Sequence, residues 1–352
     1  MAVSTDLIQA KQVLSSRLLR AGARGQAVNL SYSIRVSDAI VSSAHNVHAV
    51  GVGRKIVEGK VTGDAAVRIY VAQKIAPSLL PPRDLLPEAI DGVPTDVIES
   101  PPAFLTARKA RATALAQSCT DNRRKRQRPV VAGTSAAHQD VTAGTIACFC
   151  RSTRHGDDPA KVYVLSNNHV FANVNQAQVG DNLHQPGPAD GGTTSDHFAE
   201  LHRFVKIALG GSTPNRVDAA IGELLPGIEF QSEVCRIGRI EGTSRAVERL
   251  EVRKHGRTTG LTEGVVTDEP YDALVGMDHN NPAVVALFEN QMRIDRSPPH
   301  PSIGLGGDSG SLIVSKSEAK AVGLYFAGPD SGVYGVANHI ADVLVELQIE
   351  LL

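Results

Sequence analysis

Residues 303 to 314 read Ile-Gly-Leu-Gly-Gly-Asp-Ser-Gly-Ser-Leu-Ile-Val, a serine inside a run of glycines followed at once by an apolar strand. Few stretches constrain a fold as tightly, because the chain must make a sharp turn at the mouth of a strand and leave a hydroxyl there. Gly306, Gly307 and Gly310 open backbone conformations that a side chain hinders, so the amides of Gly307 and Ser309 can converge on one oxygen. The same residues also suit an ordinary hairpin turn. Partners elsewhere in the chain decide between the two.

A serine hydroxyl is a poor nucleophile until a base takes its proton, and a histidine base works best when an acid fixes its tautomer. His169 closes Val162-Tyr163-Val164-Leu165-Ser166-Asn167-Asn168-His169, an apolar strand running into a polar turn. Asp218 stands in Asn215-Arg216-Val217-Asp218-Ala219-Ala220-Ile221, just before another short apolar strand. The order is His, Asp, Ser, with 49 residues from His169 to Asp218 and 91 from Asp218 to Ser309.

In order and spacing these motifs resemble the chymotrypsin-like (trypsin-fold) serine proteases, as opposed to the subtilisins and α/β-hydrolases, whose triads run differently. The resemblance extends to intracellular bacterial trypsin-like proteases and, more loosely, to the narrow-leaf proteins of plants. It implies a mainly β chain, a chymotrypsin-like double β-barrel with a C-terminal helix, preceded here by a small α+β domain. It also implies a serine endopeptidase acting on protein or peptide substrates, with His169, Asp218 and Ser309 catalytic, the Gly307 and Ser309 amides as oxyanion hole, and no metal or organic cofactor.

Specificity follows from the same resemblance. The residue six before the nucleophile, Ile303, falls where the floor of the primary pocket is expected, and an apolar floor implies a small or apolar preference over lysine or arginine. Residues 321 to 328 fall where a strand pairs with extended substrate, which places Phe326 and Gly328 among the substrate-binding residues. Phe326 replaces a serine that many members carry, removing the usual extra support for the Asp-His pair.

Composition excludes several other classes. A net charge of -1 argues against nucleic-acid or membrane-surface binding through bulk charge. No apolar run approaches a membrane span, and Asp6, Gln9, Lys11 and Gln12 stand where a signal-peptide core would need apolar residues, so a cytoplasmic chain is expected. The four cysteines, Cys119, Cys148, Cys150 and Cys235, do not repeat the disulfide pattern of secreted proteases of this fold and read as reduced thiols. Cys148 and Cys150 share a strand face, but no second ligand pair at the usual spacing supports zinc.

Three segments are expected: residues 1–105, an α+β regulatory or assembly domain; 106–129, a basic linker; and 130–352, the protease domain. At the front, Ser4 or Thr5 caps a helix bearing Leu7, Leu14 and Leu18 and ending near Gly22. Strands follow over 47–57, 66–72 and 95–99. Gly51-Val52-Gly53 lacks the full nucleotide fingerprint and reads as a tight strand or bulge. The run Thr120-Asp121-Asn122-Arg123-Arg124-Lys125-Arg126-Gln127-Arg128-Pro129 reads as a solvated linker, with a nucleic-acid patch or a cleavage site releasing the catalytic part as alternatives. Since proline after Arg128 disfavours cleavage, Asp308 is expected to meet an internal partner. The second barrel starts near Glu233, Lys254 to Thr262 forms an architectural hairpin, and Asn338 to Leu351 forms the terminal helix. The other readings are a non-catalytic peptide-binding scaffold, a regulated processing protease, and a front module that assembles homo-oligomers.

Overall fold

The computed structural model describes residues 4–23, 46–105, 122–278, 281 and 284–352. The chain divides into two compact units: Met1–Phe104 with Ala208–Asn215 and Thr267–Arg293, and Leu105–Ile207 with Arg216–Val266 and Ile294–Leu352. The front unit opens with helix α1 (Thr5–Ala23), β1 (Val47–Val57), β2 (Lys60–Val71) and β3 (Val93–Glu99). Ser4 caps α1 by accepting the Leu7 amide at 3.3 Å. β2 runs antiparallel to β1 and parallel to β3, with Val52 opposite Val67 and Val67 opposite Thr95.

The other unit carries two barrels. The first is built from β4 (Ser135–His138), β5 (Cys148–Ser152), β6 (Tyr163–Ser166), the helical turn α2 (Asn168–Phe171), β7 (Asn182–His184), β8 (His197–Phe204) and β9 (Ala220–Leu224). Its strand order is β5-β6-β9-β8-β7-β4. Residues 144–147 close the ring, because Gly144 pairs with Ala136 and the Ala147 amide donates to the Leu165 carbonyl at 2.8 Å.

The second barrel uses β10 (Glu251–Gly256), β11 (Gly260–Gly276), β12 (Val285–Arg296), β13 (Leu312–Ser315), β14 (Ala321–Gly328) and β15 (Tyr334–His339). The order is β11-β10-β13-β14-β15-β12, and β12 pairs back onto β11. The Arg296 amide reaches the Val333 carbonyl at 3.1 Å and the Ser297 amide the Glu263 carbonyl at 2.9 Å, which seals the seam. A closed sheet leaves no edge for other chains to pair with. Helix α3 (Ile340–Leu347) follows, so the chain is mainly β, with the chymotrypsin-like double barrel and its C-terminal helix. The helix is shorter than expected: Gln348 turns left-handed at φ 50, and Ile349–Leu351 pairs with β5 as a strand.

The front unit is not contiguous in sequence. The distal part of β11 pairs antiparallel with β1, Ala49 opposite Ala273 and Gly51 opposite Tyr271. Leu14 and Leu19 of α1 pack in one core with Val50, Ile69, Leu274 and Leu287. Beside that core the buried Lys11 ammonium pairs with Asp272, whose Oδ2 also accepts the Ser15 hydroxyl at 2.5 Å. The close approach of β11 explains the Gly-Val-Gly run: a Cβ on Gly51 would fall 2.6 Å from Asp268 Oδ1, and one on Gly53 2.6 Å from the Thr267 carbonyl. A cut between 106 and 129 would leave residues up to 104 paired with 267–293, which corrects the reading of that segment as a release site.

Two further expectations are corrected. Cys235 is disulfide-bonded, so the cysteines are not all reduced thiols, while Cys148 and Cys150 are free and buried; Cys119 lies outside the described residues. Burial pushes the Cys148 thiol up to about 12, which opposes the thiolate that a metal would need. The basic run is not a solvated linker from residue 122 onward. Arg123 and Arg124 are half-buried, and their Nε atoms donate to the Arg257 carbonyl at 3.0 and 3.1 Å. The Gln127 amide donates to Gln185 Oε1 at 2.9 Å. Residues 106–121 of the expected linker lie outside the described residues. Among the described residues, no helix is long and apolar enough to cross a membrane.

Candidate active site

β6 carries the chain into α2, and that junction sets His169 against the start of β9. Asn167 Nδ2 donates to the Asp218 carbonyl at 2.7 Å, tying the two segments together. The Asp218 carboxylate then receives two bonds from one residue: the His169 amide donates to Oδ1 at 3.1 Å, and His169 Nδ1 lies 2.5 Å from Oδ2. From behind, the Asp218 amide donates to Asn338 Oδ1 at 3.1 Å. Asp218 is wholly buried and His169 nearly so. A ring nitrogen facing a carboxylate carries the proton, which leaves the lone pair on Nε2. That Nε2 is buried and has no hydrogen-bond partner among the described residues.

Ser309 sits at the turn into β13, where Gly307 and Gly310 adopt φ of 94° and 90°. L side chains rarely adopt that region, and Gly310 has no room for one. A Cβ there would lie 2.2 Å from both Ser166 Oγ and the Thr145 carbonyl. The Thr145 amide in turn donates to the Ser309 carbonyl at 2.8 Å, so the serine is held against the end of β6, close in sequence to His169. The register of β14 against β15 shifts between Tyr325 and Ala327, making Phe326 a bulge residue. Its carbonyl accepts the Ser309 hydroxyl at 3.2 Å.

The turn fixes its amides through the carbonyls of the same peptide units. A trans peptide is planar, so holding its oxygen directs its N–H the opposite way. Thr258 Oγ1 donates to the Gly306 carbonyl at 2.6 Å, which aims the Gly307 amide. The Asp308 carbonyl accepts the Ser311 hydroxyl at 2.6 Å and the Ser311 amide at 3.0 Å, which aims the Ser309 amide. Thr145 Oγ1 holds the Gly307 carbonyl at 2.9 Å and accepts the Arg257 amide at 3.0 Å.

Asp308 anchors this turn from within. Its oxygens accept the amides of Thr258 at 2.7 Å, Leu305 at 2.9 Å and Thr259 at 3.1 Å, and the Thr259 hydroxyl at 2.8 Å. Lys254 Nζ lies 3.3 Å away, with both side chains fully buried. Burial works to raise the Asp308 carboxyl, but the Lys254 charge and these hydrogen bonds outweigh it and hold the carboxyl below its usual range. Burial likewise lowers Lys254. Asp308 thus has an internal cationic partner, supplied by the hairpin that the sequence suggested was architectural. A lysine beside two threonines in that hairpin, facing a loop with one acid, was the available signal.

The residues expected to bind substrate are all buried. Ile303 is fixed on both sides, its amide donating to the Gly332 carbonyl at 2.8 Å and its carbonyl accepting Thr262 Oγ1 at 2.6 Å. Phe326 contributes its carbonyl at Ser309, as described. Gly328 leaves no room for a side chain, since a Cβ there would lie 2.8 Å from the Tyr334 carbonyl.

No protein-family profile matches the chain, and no curated protein does. Among solved structures, protease A of Thermobifida fusca is similar at 15% identity and a TM-score of 0.44, covering 63% of this chain and 98% of its own. The Nocardiopsis protease NAPase is similar at 14% identity and a TM-score of 0.43, with 63% and 98% covered. Deg5 is similar at 16% identity and a TM-score of 0.34, with 60% and 84% covered. The first two are proteases by name, and the double barrel of this chain is read from its own strand pairings. The likeness to plant narrow-leaf proteins rests on the sequence motifs alone.

Proposed function

We propose that the chain is a serine endopeptidase in which Ser309 is the nucleophile, His169 the general base and then acid, and Asp218 the residue that orients His169. The observation carrying this reading is the buried Asp218–His169 pair, its Nε2 without a partner among the described residues, beside a serine turn whose peptide planes are pinned. Ser309 Oγ would leave the Phe326 carbonyl, pass its proton to His169 Nε2 and bond to the substrate carbonyl carbon. The negative charge on the substrate oxygen would be taken by the Gly307 and Ser309 amides. His169 would return the proton to the leaving amine, and water would release the acyl group by the same path. An extended peptide adding its backbone to residues 326–328, past the last β13 partner at Leu324, fits this reading. No step calls for a metal or organic cofactor.

A regulated processing role fits the presence of a separate front unit. The cytoplasmic placement loses its cysteine argument to the disulfide at Cys235, because disulfides persist mainly in oxidising compartments. A peptide-binding scaffold without catalysis is the second reading, supported by the Ser309 hydroxyl being bonded to Phe326 and not to His169.

Fluorophosphonate labelling of the intact chain beside Ser309→Ala and His169→Ala tests the two readings. Labelling confined to Ser309 and slowed roughly 10⁴-fold or more by His169→Ala is expected. Equal labelling of wild type and Ser309→Ala would remove Ser309 from the mechanism, and no labelling at all would favour the scaffold.

A further inference from the structure

His169 rides on α2, Asn168–Phe171, and one turn of helix has too short a hydrogen-bond ladder to hold itself rigid. Contacts from outside the turn must therefore fix the ring against Asp218. Just beyond α2 the backbone does what L residues rarely do. Asn173, Val174 and Asn175 stand at φ of 48°, 51° and 68°, three left-handed residues in a row without a glycine. Val174 is branched at Cβ, which makes that conformation costly, and strain of this kind persists only where the surroundings over-determine it.

Asn175 supplies that over-determination. Its amide donates to Asn168 Oδ1 at 3.1 Å and its Oδ1 accepts Asn168 Nδ2 at 2.9 Å, so the two residues exchange a pair of bonds. The same Oδ1 accepts the Ile207 amide at 2.9 Å, and Asn175 Nδ2 donates to the Ile207 carbonyl at 2.9 Å. Asn168 is wholly buried, and its Nδ2 also donates to the Val205 carbonyl at 2.7 Å. The Val205 amide in turn donates to the Ala219 carbonyl at 3.0 Å. Asn168 precedes His169 and Ala219 follows Asp218, so one bracket of hydrogen bonds ends beside the base at one side and beside the acid at the other. The left-handed turn doubles the chain back on α2, which is what lets residue 175 meet residue 168.

We propose that Asn168 and Asn175 are positioning residues for the His169–Asp218 pair: they hold the turn that carries the base against the segment that leads to the acid, and the strained backbone at 173–175 is tolerated because it puts Asn175 in place. The effect on catalysis rests on the protease reading above; the effect on the geometry of the pair does not.

Two glycine substitutions in the one turn separate the bracket from the backbone that presents it, since glycine takes a left-handed φ without strain. Val174→Gly relieves the backbone and leaves the bracket, whereas Asn175→Gly relieves the backbone and removes the side-chain amide. Each is read by fluorophosphonate labelling of the intact chain and by the low-field proton resonance of His169 Nδ1–H, which reports its bond to Asp218, under conditions where urea unfolding shows the variant folded. Val174→Gly should keep the wild-type labelling rate and resonance. Asn175→Gly should label about tenfold to a hundredfold more slowly, the scale on which a misplaced catalytic group is felt, with the resonance moved upfield or lost. If Asn175→Gly fails to fold, Asn168→Ala, which breaks the same exchange from the side of α2, carries the same expectation. A folded Asn175→Gly chain with wild-type labelling or an unmoved resonance would overturn the proposal and leave the protease reading standing. So would Val174→Gly slowing labelling as much as Asn175→Gly. A wild type that shows the resonance and never labels would overturn the protease reading; loss of the resonance in Asn175→Gly would then still support the positioning role, and its survival would overturn that too.

Discussion

Replacing Lys254 with methionine isolates the charge buried behind the nucleophile turn. Methionine keeps most of the stem's volume and removes the ammonium, which lies 3.3 Å from Asp308 Oδ2 and also donates to Thr259 Oγ1. Breaking a buried pair from one side costs about 3–5 kcal/mol, because the other charge stays buried. Asp308 retains three backbone amides and the Thr259 hydroxyl, so the loss should fall at the lower end, about 3 kcal/mol. For a domain of this size that is a fall in Tm of about 6–12 °C. The pH dependence should change as well. A carboxyl held below its usual value contributes stability that is present above the unfolded value, 3.8, and lost as pH falls through its own lower value. Without Lys254 the effect of burial is less opposed and the carboxyl rises, so stability and labelling of Ser309 should be lost at higher pH. Urea unfolding and labelling rates from pH 7 to 4 read both effects. A Lys254→Met chain within about 1 kcal/mol of wild type, with its acid limb unmoved, would refute the reasoning.

Two other perturbations reach the same hairpin and turn. Gly310→Ala combines a left-handed backbone with a Cβ placed 2.2 Å from Thr145 and Ser166 atoms, so about 2 kcal/mol or more of stability should be lost, with labelling of Ser309 falling on the order of 100-fold; urea unfolding and labelling rates would show it. Burial lowers His255 from 6.5 to about 4, the Gly133 carbonyl opposing it only in part. The folded chain thus refuses a proton that the unfolded chain accepts, and stability falls as pH drops from 6.5 toward 4, by about 3 kcal/mol. His255→Gln should flatten that fall in urea unfolding across the same range, and parallel curves would contradict it.

Much of the candidate site could be read from local sequence. An apolar strand delivering His169, an acid heading β9 and a glycine-rich turn at Ser309 are each short-range patterns, and the capped helix and the strand over 47–57 are as local. What stayed hidden depends on residues far apart in the chain. Nothing near Lys11 announces that Asp272 is its partner, or that Gly51 must be small because β11 passes over it. Lys254 looks like a surface lysine until Asp308 is placed beside it. Arg123 and Arg124 read as solvated because charge runs usually are, yet two backbone carbonyls hold them.

The split make-up of the front unit also sets a schedule for its birth on the ribosome. Helix α1, β1 and β2 emerge early, but the strand that pairs with β1 and carries Asp272 belongs to Thr267–Arg293, more than 150 residues later. At the usual pace of translation, about 5–20 residues per second, that gap lasts on the order of 10–30 seconds. Throughout it, the core of Leu14 and Leu19 lacks Leu274, Val285 and Leu287, and the Lys11 ammonium lacks Asp272. These earlier-translated elements are therefore completed only once Thr267–Arg293 has been made, and until then the growing chain has to be kept from sticking to its neighbours.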